Sequence, residues 1–414
     1  MTLFTSTHFA STCASGTDWR DISKTVLEQL ESICTGDHYF NLGFIYISDH
    51  LADDTESIIG LFKSVLKIEH WVGSVGMGVV GCNRALVDSS SISAMIGRFE
   101  KDDFHILKSM EDHDDIETGQ EKTSEQWLAQ NMPMLGLVHA NPMAQEDPQI
   151  IIEDLANSTN SFLIGGLTSS RSHHFHIADN LSNDPISGVL FSDNVPVSTT
   201  LSQGCQPIAG FHIITKTDED LILELDEKPA LDVLQDDLRI LAMNRMEEEN
   251  QNFTSTLDSI ENSDHIPEEF KSLFRGHIHA ALPLPQSDQN DYLVRNITGL
   301  DPQEQAVMIS ETVDKGQRLF FVERNHDSML ADLSKTILKL RQRVRQERGT
   351  FDPKGALYVS CIARGFSEDP IQMQNEMNII HDIIGDIPLT GFYAGGEISN
   401  ARLYGYTGIL TLFF

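Results

Sequence analysis

The feature that most constrains the fold is a pattern that recurs three times, over residues 41–99, 134–192 and 355–414. Each copy opens with a short apolar run, continues with apolar residues three and four positions apart, and closes with a second apolar run. These spacings predict a strand, an amphipathic helix and a further strand. Because the copies are interrupted and their period exceeds that of a solenoid, we predict duplicated α/β layers rather than an open array.

Each copy also has a glycine-containing apolar segment between its helix and its closing strand. The glycines are adjacent in the second copy (Gly165 and Gly166) and in the third (Gly395 and Gly396, after Gly391), and they are spaced apart in the first. Glycine permits positive φ and lets a ligand or a neighbouring backbone approach closely. These five glycines are therefore candidate ligand contacts, although strand–helix–strand units are common in any α/β protein.

The region between the second and third copies is predicted to add strands and two helices. Of these helices, one opens near residue 229 and a longer one runs over 327–348. We expect a mixed α/β (α+β) protein in which repeated strand–helix–strand–strand units form mixed sheets packed by helices. Its two lobes are predicted as domains at residues 1–225 and 226–414.

The charge balance excludes several classes of partner. The 29 Lys and Arg residues stand against 62 Asp and Glu residues, which gives a net charge of −33. Such a surface repels nucleic acid and anionic membranes. No apolar run approaches the roughly 20 residues of a membrane span, and the scattered cysteines form no disulfide or zinc pattern. We therefore predict a cytoplasmic protein. The cysteines are Cys13, Cys34, Cys82, Cys205 and Cys361.

Several segments together resemble the FIST-domain family, with both its N-terminal and its C-terminal modules. The resemblance covers nearly the whole chain, and the most specific segment is the sequence GFYAGGEI at residues 391–398. The other matching segments are residues 165–167, 204–208, 228–234, 292–301, 324–327 and 361–364, together with Glu376.

The resemblance implies a prokaryotic intracellular sensory module that binds small ligands such as amino acids or their derivatives. Such modules are often fused to, or encoded beside, histidine kinases and cyclic-di-GMP enzymes. One branch of the family resembles haem-binding nitric-oxide sensors, and a eukaryotic branch carries an F-box. Because the chain ends at Phe414 inside the last predicted strand, we expect its output to pass to a separate signalling partner.

Three arginines at or near predicted strand ends are candidate ligand contacts: Arg295, Arg324 and Arg364. A guanidinium pairs bidentately with a carboxylate, which suits an amino-acid-like ligand. The alternative is an internal ion pair. The acidic residues considered as partners are Asp301, Asp327, Glu376 and Glu397.

Glu397 is the candidate that would hold the ammonium group of such a ligand. It follows two glycines and the aromatic residues Phe392 and Tyr393, so charge and cation–π contacts could act together. The alternative is a carboxylate that caps backbone amides in a glycine-rich turn.

Cys361 and the histidines leave two alternatives open, an enzyme and a haem protein. Cys361 lies three residues before Arg364, and a nearby cation can lower a thiol pKa, yet a buried cysteine more often acts as a small apolar residue. His277 with His279, and the histidines at 173–176, lack the spacing of a zinc site. No C-x-x-C-H haem signature is present, so any haem would depend on axial ligation alone. We assign no catalytic residue and no metal ligand.

The predicted helix 327–348 is the basic part of an acidic chain. Its apolar residues recur at spacings of three and four, which predicts one buried seam beneath a charged face. That face is either simply solvated or docks on an acidic partner or on a second protomer.

Overall fold

The computed structural model describes residues 3–34, 39–108, 124–249, 277–284, 292–364 and 370–414. The chain forms two compact units: unit 1 comprises Met1–Gln203 and Leu330–Phe414, and unit 2 comprises Gly204–Met329. The C-terminal residues belong to unit 1 because the last strand of the chain pairs with a strand near residue 200. The boundary between the two predicted domains, at residues 225 and 226, stays a prediction.

The helices of the three copies lie close to the ranges that the apolar spacing predicts, which are about 53–67, 147–157 and 370–384. The Asp147 side chain accepts the backbone N–H of Gln149 at the start of the helix in the second copy, and Asn160 ends that helix with a left-handed backbone. None of the described helices is long and apolar enough to cross a membrane. The helices are α1 (Trp19–Glu31), α2 (Thr55–Leu66), α3 (Ser124–Gln130), α4 (Pro148–Thr159), α5 (Ala230–Glu249), α6 (His326–Arg348) and α7 (Pro370–Ile384).

The strands fall into three groups along the chain. The first group is β1 (Phe4–Thr5), β2 (Phe9–Gly16), β3 (Leu42–Ser48), β4 (His70–Gly76), β5 (Gly78–Gly81), β6 (Arg84–Val87), β7 (Ser90–Gly97), β8 (Phe104–Leu107), β9 (Pro133–Ala140), β10 (Phe162–Leu167), β11 (His176–Ala178), β12 (Asn180–Ser182), β13 (Ile186–Ser192) and β14 (Val197–Ser202). The second is β15 (Gln206–Pro207), β16 (His212–Asp218), β17 (Leu221–Leu225), β18 (Lys228–Pro229), β19 (Ile278–Pro283), β20 (Tyr292–Asp301), β21 (Ala306–Ile309) and β22 (Arg318–Glu323). The third is β23 (Gly355–Cys361), β24 (Leu389–Ala394), β25 (Glu397–Ser399), β26 (Arg402–Tyr404) and β27 (Gly408–Phe413).

The three sequence copies build three sheets of unit 1 with the same internal order. In the first copy β3 pairs in parallel with β4, across the helix α2, and antiparallel with β7. In the second copy β9 pairs in the same way with β10 and β13. In the third copy β23 pairs in the same way with β24 and β27. The α/β class and the repeated unit predicted from the sequence are therefore confirmed.

Each copy gives a hairpin to the sheet of another copy, and this exchange links the three sheets. The hairpin β5–β6 of the first copy pairs with β24 of the third. The hairpin β11–β12 of the second copy pairs with β4 of the first. The hairpin β25–β26 of the third copy pairs with β10 of the second. The exchange returns to its starting copy after three steps, so unit 1 has an internal pseudo-threefold arrangement.

One glycine of each copy occupies the same register position, opposite the middle of the first strand. A Cβ atom built on any of these glycines would lie 1.7 to 1.8 Å from the carbonyl oxygen of the paired residue. Only glycine therefore permits the observed approach of the two strands. The glycines, each with its paired residue, are Gly73 (Ile45), Gly165 (Val138) and Gly391 (Tyr358).

The three sheets share one apolar core on their inner faces, and each packs helices on its outer face. The shared core joins aromatic residues of all three copies, including Phe44, Phe191 and Phe413. Outside it, α1 and α2 cover the first sheet, α3 and α4 the second, and α6 and α7 the third. Both faces of each sheet are thus buried, which explains the nearly continuous apolar strands.

Unit 2 contains a sheet that closes on itself. The strands β22, β16, β17, β21, β20 and β19 pair successively, and β19 pairs back with β22. The helix α5 packs on the apolar core of this sheet. His212 joins the sheet to α5, because its Nε2 lies 3.0 Å from Asp237 while its Nδ1 lies 2.7 Å from Asp226.

Replacing His212 with glutamine is expected to destabilise the protein in a pH-dependent way. The carboxylate of Asp237, and then that of Asp226, raises the pKa of His212 in the folded state. The stabilisation is therefore complete below the unfolded-state pKa of about 6.5 and is lost as pH rises through the folded-state pKa. Urea unfolding should show a larger difference between wild type and variant at pH 5.5 than at pH 8.5. The substitution His8→Gln, at an exposed histidine, provides the control, and an equal difference at both pH values would contradict the assignment.

Candidate functional site

A buried ion pair lies where β23 ends, between the third sheet and α7. Arg364, in a short 3-10 turn after β23, donates from Nε to Oε1 of Glu376 over 2.8 Å. Each of the two side chains is 1% exposed. The guanidinium also donates from Nη1 to the carbonyl oxygens of Ser202 and Tyr406. Of the acidic partners that the sequence left open for this arginine, the structure selects Glu376.

Two polar side chains of β23 complete the surroundings of Glu376. The hydroxyls of Tyr358 and Ser360 donate to its Oε2 over 2.9 and 3.1 Å. Alternate residues of a strand face the same side of the sheet, so both hydroxyls point toward α7. Sequence reasoning did not single out this pair, although a tyrosine and a serine two positions apart in an apolar strand are a usable signal.

Glu397 lies beside this ion pair at the start of β25. Its Oε2 accepts the backbone N–H and the hydroxyl of Thr407 over 3.0 and 2.7 Å. Burial raises the pKa of Glu397 to about 8, although the bonds from Thr407 and the charge of Arg364 oppose the rise. The carboxyl group is therefore mostly protonated at neutral pH.

Three buried polar atoms of this cluster have no hydrogen-bond partner among the described residues: Arg364 Nη2, Tyr393 Oη and Glu397 Oε1. Arg364 is 4% exposed, and Tyr393 and Glu397 are 0% exposed. The charges of Arg364 and Glu397 influence each other, and Arg364 also acts on the Tyr393 hydroxyl. We name Arg364, Glu376, Tyr393 and Glu397 the arginine–glutamate cluster. It holds unsatisfied donors and an unsatisfied carboxyl oxygen within one group of interacting side chains.

Cys361 lies beside the arginine–glutamate cluster as a protonated thiol. Burial, with the neighbouring Glu397, raises the pKa of Cys361 well above its ordinary value. Burial opposes the charge of Arg364, but Glu376, Tyr358 and Glu397 together outweigh burial and raise the pKa of the guanidinium. The cluster therefore offers a fixed cation and no thiolate, which is the reverse of an activated cysteine nucleophile.

The glycines and aromatic residues predicted as ligand contacts do not all lie beside the arginine–glutamate cluster. Gly166 pairs with Glu397 across β10 and β25, which puts the second-copy glycines next to the cluster. Gly395 is exposed and Gly396 is buried in the turn before Glu397. Phe392 faces the shared core and stacks on Tyr46, with ring centroids 5.0 Å apart, because side chains alternate along β24. A ligand contact by Phe392 or by Gly391, which packs on the Tyr358 backbone, stays a prediction.

The two other candidate arginines belong to unit 2. Arg295, on β20, forms an ion pair with Glu311 at 2.6 Å. Glu311 is not among the acidic residues that we considered as its partners. Arg324 follows β22, is half-buried, and donates its backbone N–H to the carbonyl oxygen of His277. Their contact with a ligand stays a prediction.

The histidines do not assemble a metal site in the part of the chain that the structure describes, where no group of three or more His, Cys, Asp or Glu side chains is placed to hold an ion. His176 is instead buried and forms two hydrogen bonds within unit 1. Its Nε2 donates to the carbonyl oxygen of Asp184, and its Nδ1 accepts from Ser187 over 2.5 Å. Nearby, His139 Nε2 lies 3.2 Å from the Tyr46 hydroxyl, and burial lowers the pKa of His139 to about 3. Both imidazoles are neutral.

Two arginines of the basic helix α6 form cation–π contacts within unit 1. Arg341 lies over the ring of Phe351, and Arg348 lies over that of Phe414. Lys335, Lys339 and Arg345 are exposed, while the predicted apolar seam of the helix is buried. Docking of this face on an acidic partner stays a prediction.

Comparison with known proteins identifies the same modules as the sequence motifs. The FIST N domain matches residues 41–228 and the FIST C domain matches residues 230–400. An uncharacterized protein of Mycobacterium tuberculosis (strain CDC 1551 / Oshkosh), MT0656, is 29% identical over 230 residues, which are 52% of this chain and 50% of that protein. An uncharacterized protein of Mycobacterium bovis, Mb0898c, is also 29% identical over 230 residues, covering 53% of this chain and 50% of that protein.

The chain spans about half the length of the curated relatives that it matches. Their descriptions name no activity. The two domain matches, by contrast, cover most of the chain, from residue 41 to residue 400. The chain therefore belongs to the FIST-domain family of sensory domains.

Proposed function

We propose that this chain is a sensory protein whose arginine–glutamate cluster binds a small amino-acid-like ligand. The observation that carries the proposal is a set of three buried polar atoms that have no partner in the part of the chain that the structure describes: Arg364 Nη2, Tyr393 Oη and Glu397 Oε1. Each buried polar group left unsatisfied costs about 1–3 kcal/mol. A ligand that supplies the missing partners removes this cost on binding.

The chemistry of the three atoms matches the two charged ends of an α-amino acid. The guanidinium of Arg364 and the hydroxyl of Tyr393 are donors, which suit a carboxylate. The Oε1 atom of Glu397 is an acceptor once the carboxyl group ionises, which suits an ammonium group. Because Glu376 already accepts three hydrogen bonds, it holds Arg364 in place and Glu397 remains for the ligand.

The position of the site connects two sheets of unit 1. Arg364 follows β23 of the third sheet, whereas Glu397 belongs to the hairpin β25–β26, which pairs with β10 in the second sheet. Gln149 of α4 holds that hairpin by accepting the N–H of Leu403 and donating to the carbonyl oxygen of Ala401. A ligand that draws Glu397 toward Arg364 would bias the position of this hairpin, and α4 would receive the change.

We propose that the response passes to a separate signalling protein, such as a histidine kinase or a cyclic-di-GMP enzyme, in the cytoplasm. The sensory character of the family supports this. Self-association of the chain is an alternative use of the exposed basic face of α6.

Ligand binding is expected to release a proton and to strengthen as pH rises from 6 toward 8. Glu397 has a pKa of about 8 without ligand, so its carboxyl group must lose a proton before it pairs with an ammonium group. Calorimetric titration with the common L-amino acids, in buffers of different ionisation enthalpy, measures both affinity and proton release. Glu397→Gln should lose roughly 10- to 100-fold in affinity, the value of one charge-assisted hydrogen bond, together with the pH dependence.

The exposed Glu347→Gln on α6 is the matched control, since it makes the same substitution far from β25 in the chain. Binding with unchanged affinity and unchanged proton release in Glu397→Gln would contradict the proposed site.

The raised pKa of Glu397 also predicts that the stability of the unliganded wild type falls as pH rises from about 4.5 to 8, because the folded state holds the extra proton over that range.

A further inference from the structure

Two cysteine thiols of unit 1 lie close to each other, one on a strand before the first copy and one within that copy. Cys13 is on β2, and Cys82 is in the tight turn between β5 and β6, where Cys82 and Asn83 have φ values of 50° and 57°. The Cys13 thiol donates to the carbonyl oxygen of Gly81 over 3.4 Å. The two thiols are also within hydrogen-bonding range of each other. The side chains are 6% and 7% exposed, and neither forms a disulfide.

We propose that Cys13 and Cys82 are a modification site at which a peroxide converts the pair into a disulfide. The Cys13 sulfur already contacts the residue that precedes Cys82, so the bond needs only side-chain rotation and a small approach of the turn toward β2. The proposal is independent of the ligand site, because neither cysteine belongs to the arginine–glutamate cluster.

The surroundings distinguish the roles of the two sulfur atoms. The pairing with Cys13 lowers the pKa of Cys82 despite burial, and the charge of Arg84 acts in the same direction. The same pairing raises the pKa of Cys13. A thiolate is the nucleophile in reactions with peroxide. Because the carbonyl oxygen of Gly81 accepts the Cys13 proton and keeps that sulfur a thiol, we assign Cys82 as the sulfur that reacts first and Cys13 as the resolving thiol.

The reaction balances in two steps. The Cys82 thiolate attacks one oxygen of hydrogen peroxide, the O–O bond breaks, and a sulfenic acid forms while the leaving hydroxide takes up a proton to become water. The Cys13 sulfur then attacks the sulfenic sulfur, the S–O bond breaks, and a second water leaves as the S–S bond forms. The two thiols together lose two electrons and the peroxide accepts two.

The disulfide would change how the copies are held together. It would join β2, in the first sheet, to the hairpin β5–β6, which pairs with β24 in the third sheet. The exchanged hairpin would then be covalently fixed to the sheet of its own copy. Oxidised protein is therefore expected to melt at a higher temperature than reduced protein, and dithiothreitol should reverse the shift.

The test treats the purified full chain with hydrogen peroxide, alkylates the remaining thiols and identifies peptides by mass spectrometry. The expected product is a peptide pair linked through Cys13 and Cys82, with the other three cysteines alkylated. In Cys13→Ser, Cys82 should accumulate as a sulfenic acid that dimedone traps, at least about tenfold faster than Cys361, whose pKa burial raises. In Cys82→Ser, Cys13 should stay a thiol.

The half-exposed Cys34 provides the matched control, since Cys34→Ser should leave the Cys13–Cys82 link unchanged. Wild-type protein that keeps both thiols alkylatable after peroxide treatment would overturn the proposal. So would a disulfide that links either cysteine to a different partner. The wild-type peptide map needs no variant, and it therefore decides the outcome even if a serine variant fails to fold.

Discussion

Gly391→Ala is expected to prevent unit 1 from folding. A Cβ atom at this position would lie 1.7 Å from the carbonyl oxygen of Tyr358, 2.7 Å from its carbonyl carbon and 3.0 Å from its nitrogen. These are backbone atoms of a paired strand, so no side-chain rotation can relieve the overlap. Overpacking by an ordinary methylene costs about 1–3 kcal/mol, and a backbone clash of this size should exceed about 5 kcal/mol, the stability of many domains.

Soluble yield, circular dichroism and urea unfolding of Gly391→Ala measure this loss. The matched control is Gly60→Ala, on the exposed face of α2, where an added Cβ meets no atom within 4 Å. Alanine is favoured over glycine inside a helix, so this variant should gain about 0.5–1 kcal/mol. A folded Gly391→Ala protein with wild-type stability would contradict the strand register on which the threefold description of unit 1 rests.

Arg364→Met is expected to lower the free energy of unfolding by about 3–5 kcal/mol. The substitution removes the charge that pairs with Glu376, whose side chain is 1% exposed. Glu376 would then remain buried with only the hydroxyls of Tyr358 and Ser360 as donors. Urea unfolding at neutral pH measures the change.

The double variant Arg364→Met/Glu376→Leu separates the lost ion pair from lost packing. Because it removes both charges, it should recover most of the stability. The exposed Arg345→Met on α6 serves as the control and should change stability by no more than about 0.5 kcal/mol. If Arg364→Met loses under about 1 kcal/mol, Arg364 is not the buried partner of Glu376.

The sequence pattern was sufficient to predict the individual helices and strands and the unit that they repeat. Apolar spacing predicted α4, α6 and α7 closely, since those helices each bury one face. The glycine segments pointed to close approach, and Gly165 and Gly391 indeed lie against a neighbouring backbone. The hairpin exchange was not predictable, because nothing in the residues of β5 or β25 states which sheet each strand joins.

Side-chain pairing was predicted less well than the fold. The sequence left several carboxylates open as partners of Arg364, because its choice depends on how α7 packs across β23. For Arg295 the observed partner, Glu311, lies 16 residues along the chain, just after the adjacent strand β21. The role of Tyr358 and Ser360 requires knowledge of which face of β23 meets α7.

The most direct test of the ligand site combines native mass spectrometry with calorimetry on protein purified without denaturation. Wild-type protein is predicted to retain a small zwitterionic molecule, or to bind one of the common amino acids added to it, and Glu397→Gln is predicted to do neither with comparable affinity. An absorbance spectrum of the same sample tests the haem alternative through its Soret band. Wild-type protein that carries no such molecule and gives no heat with any amino acid would contradict the account, as would equal binding by Glu397→Gln.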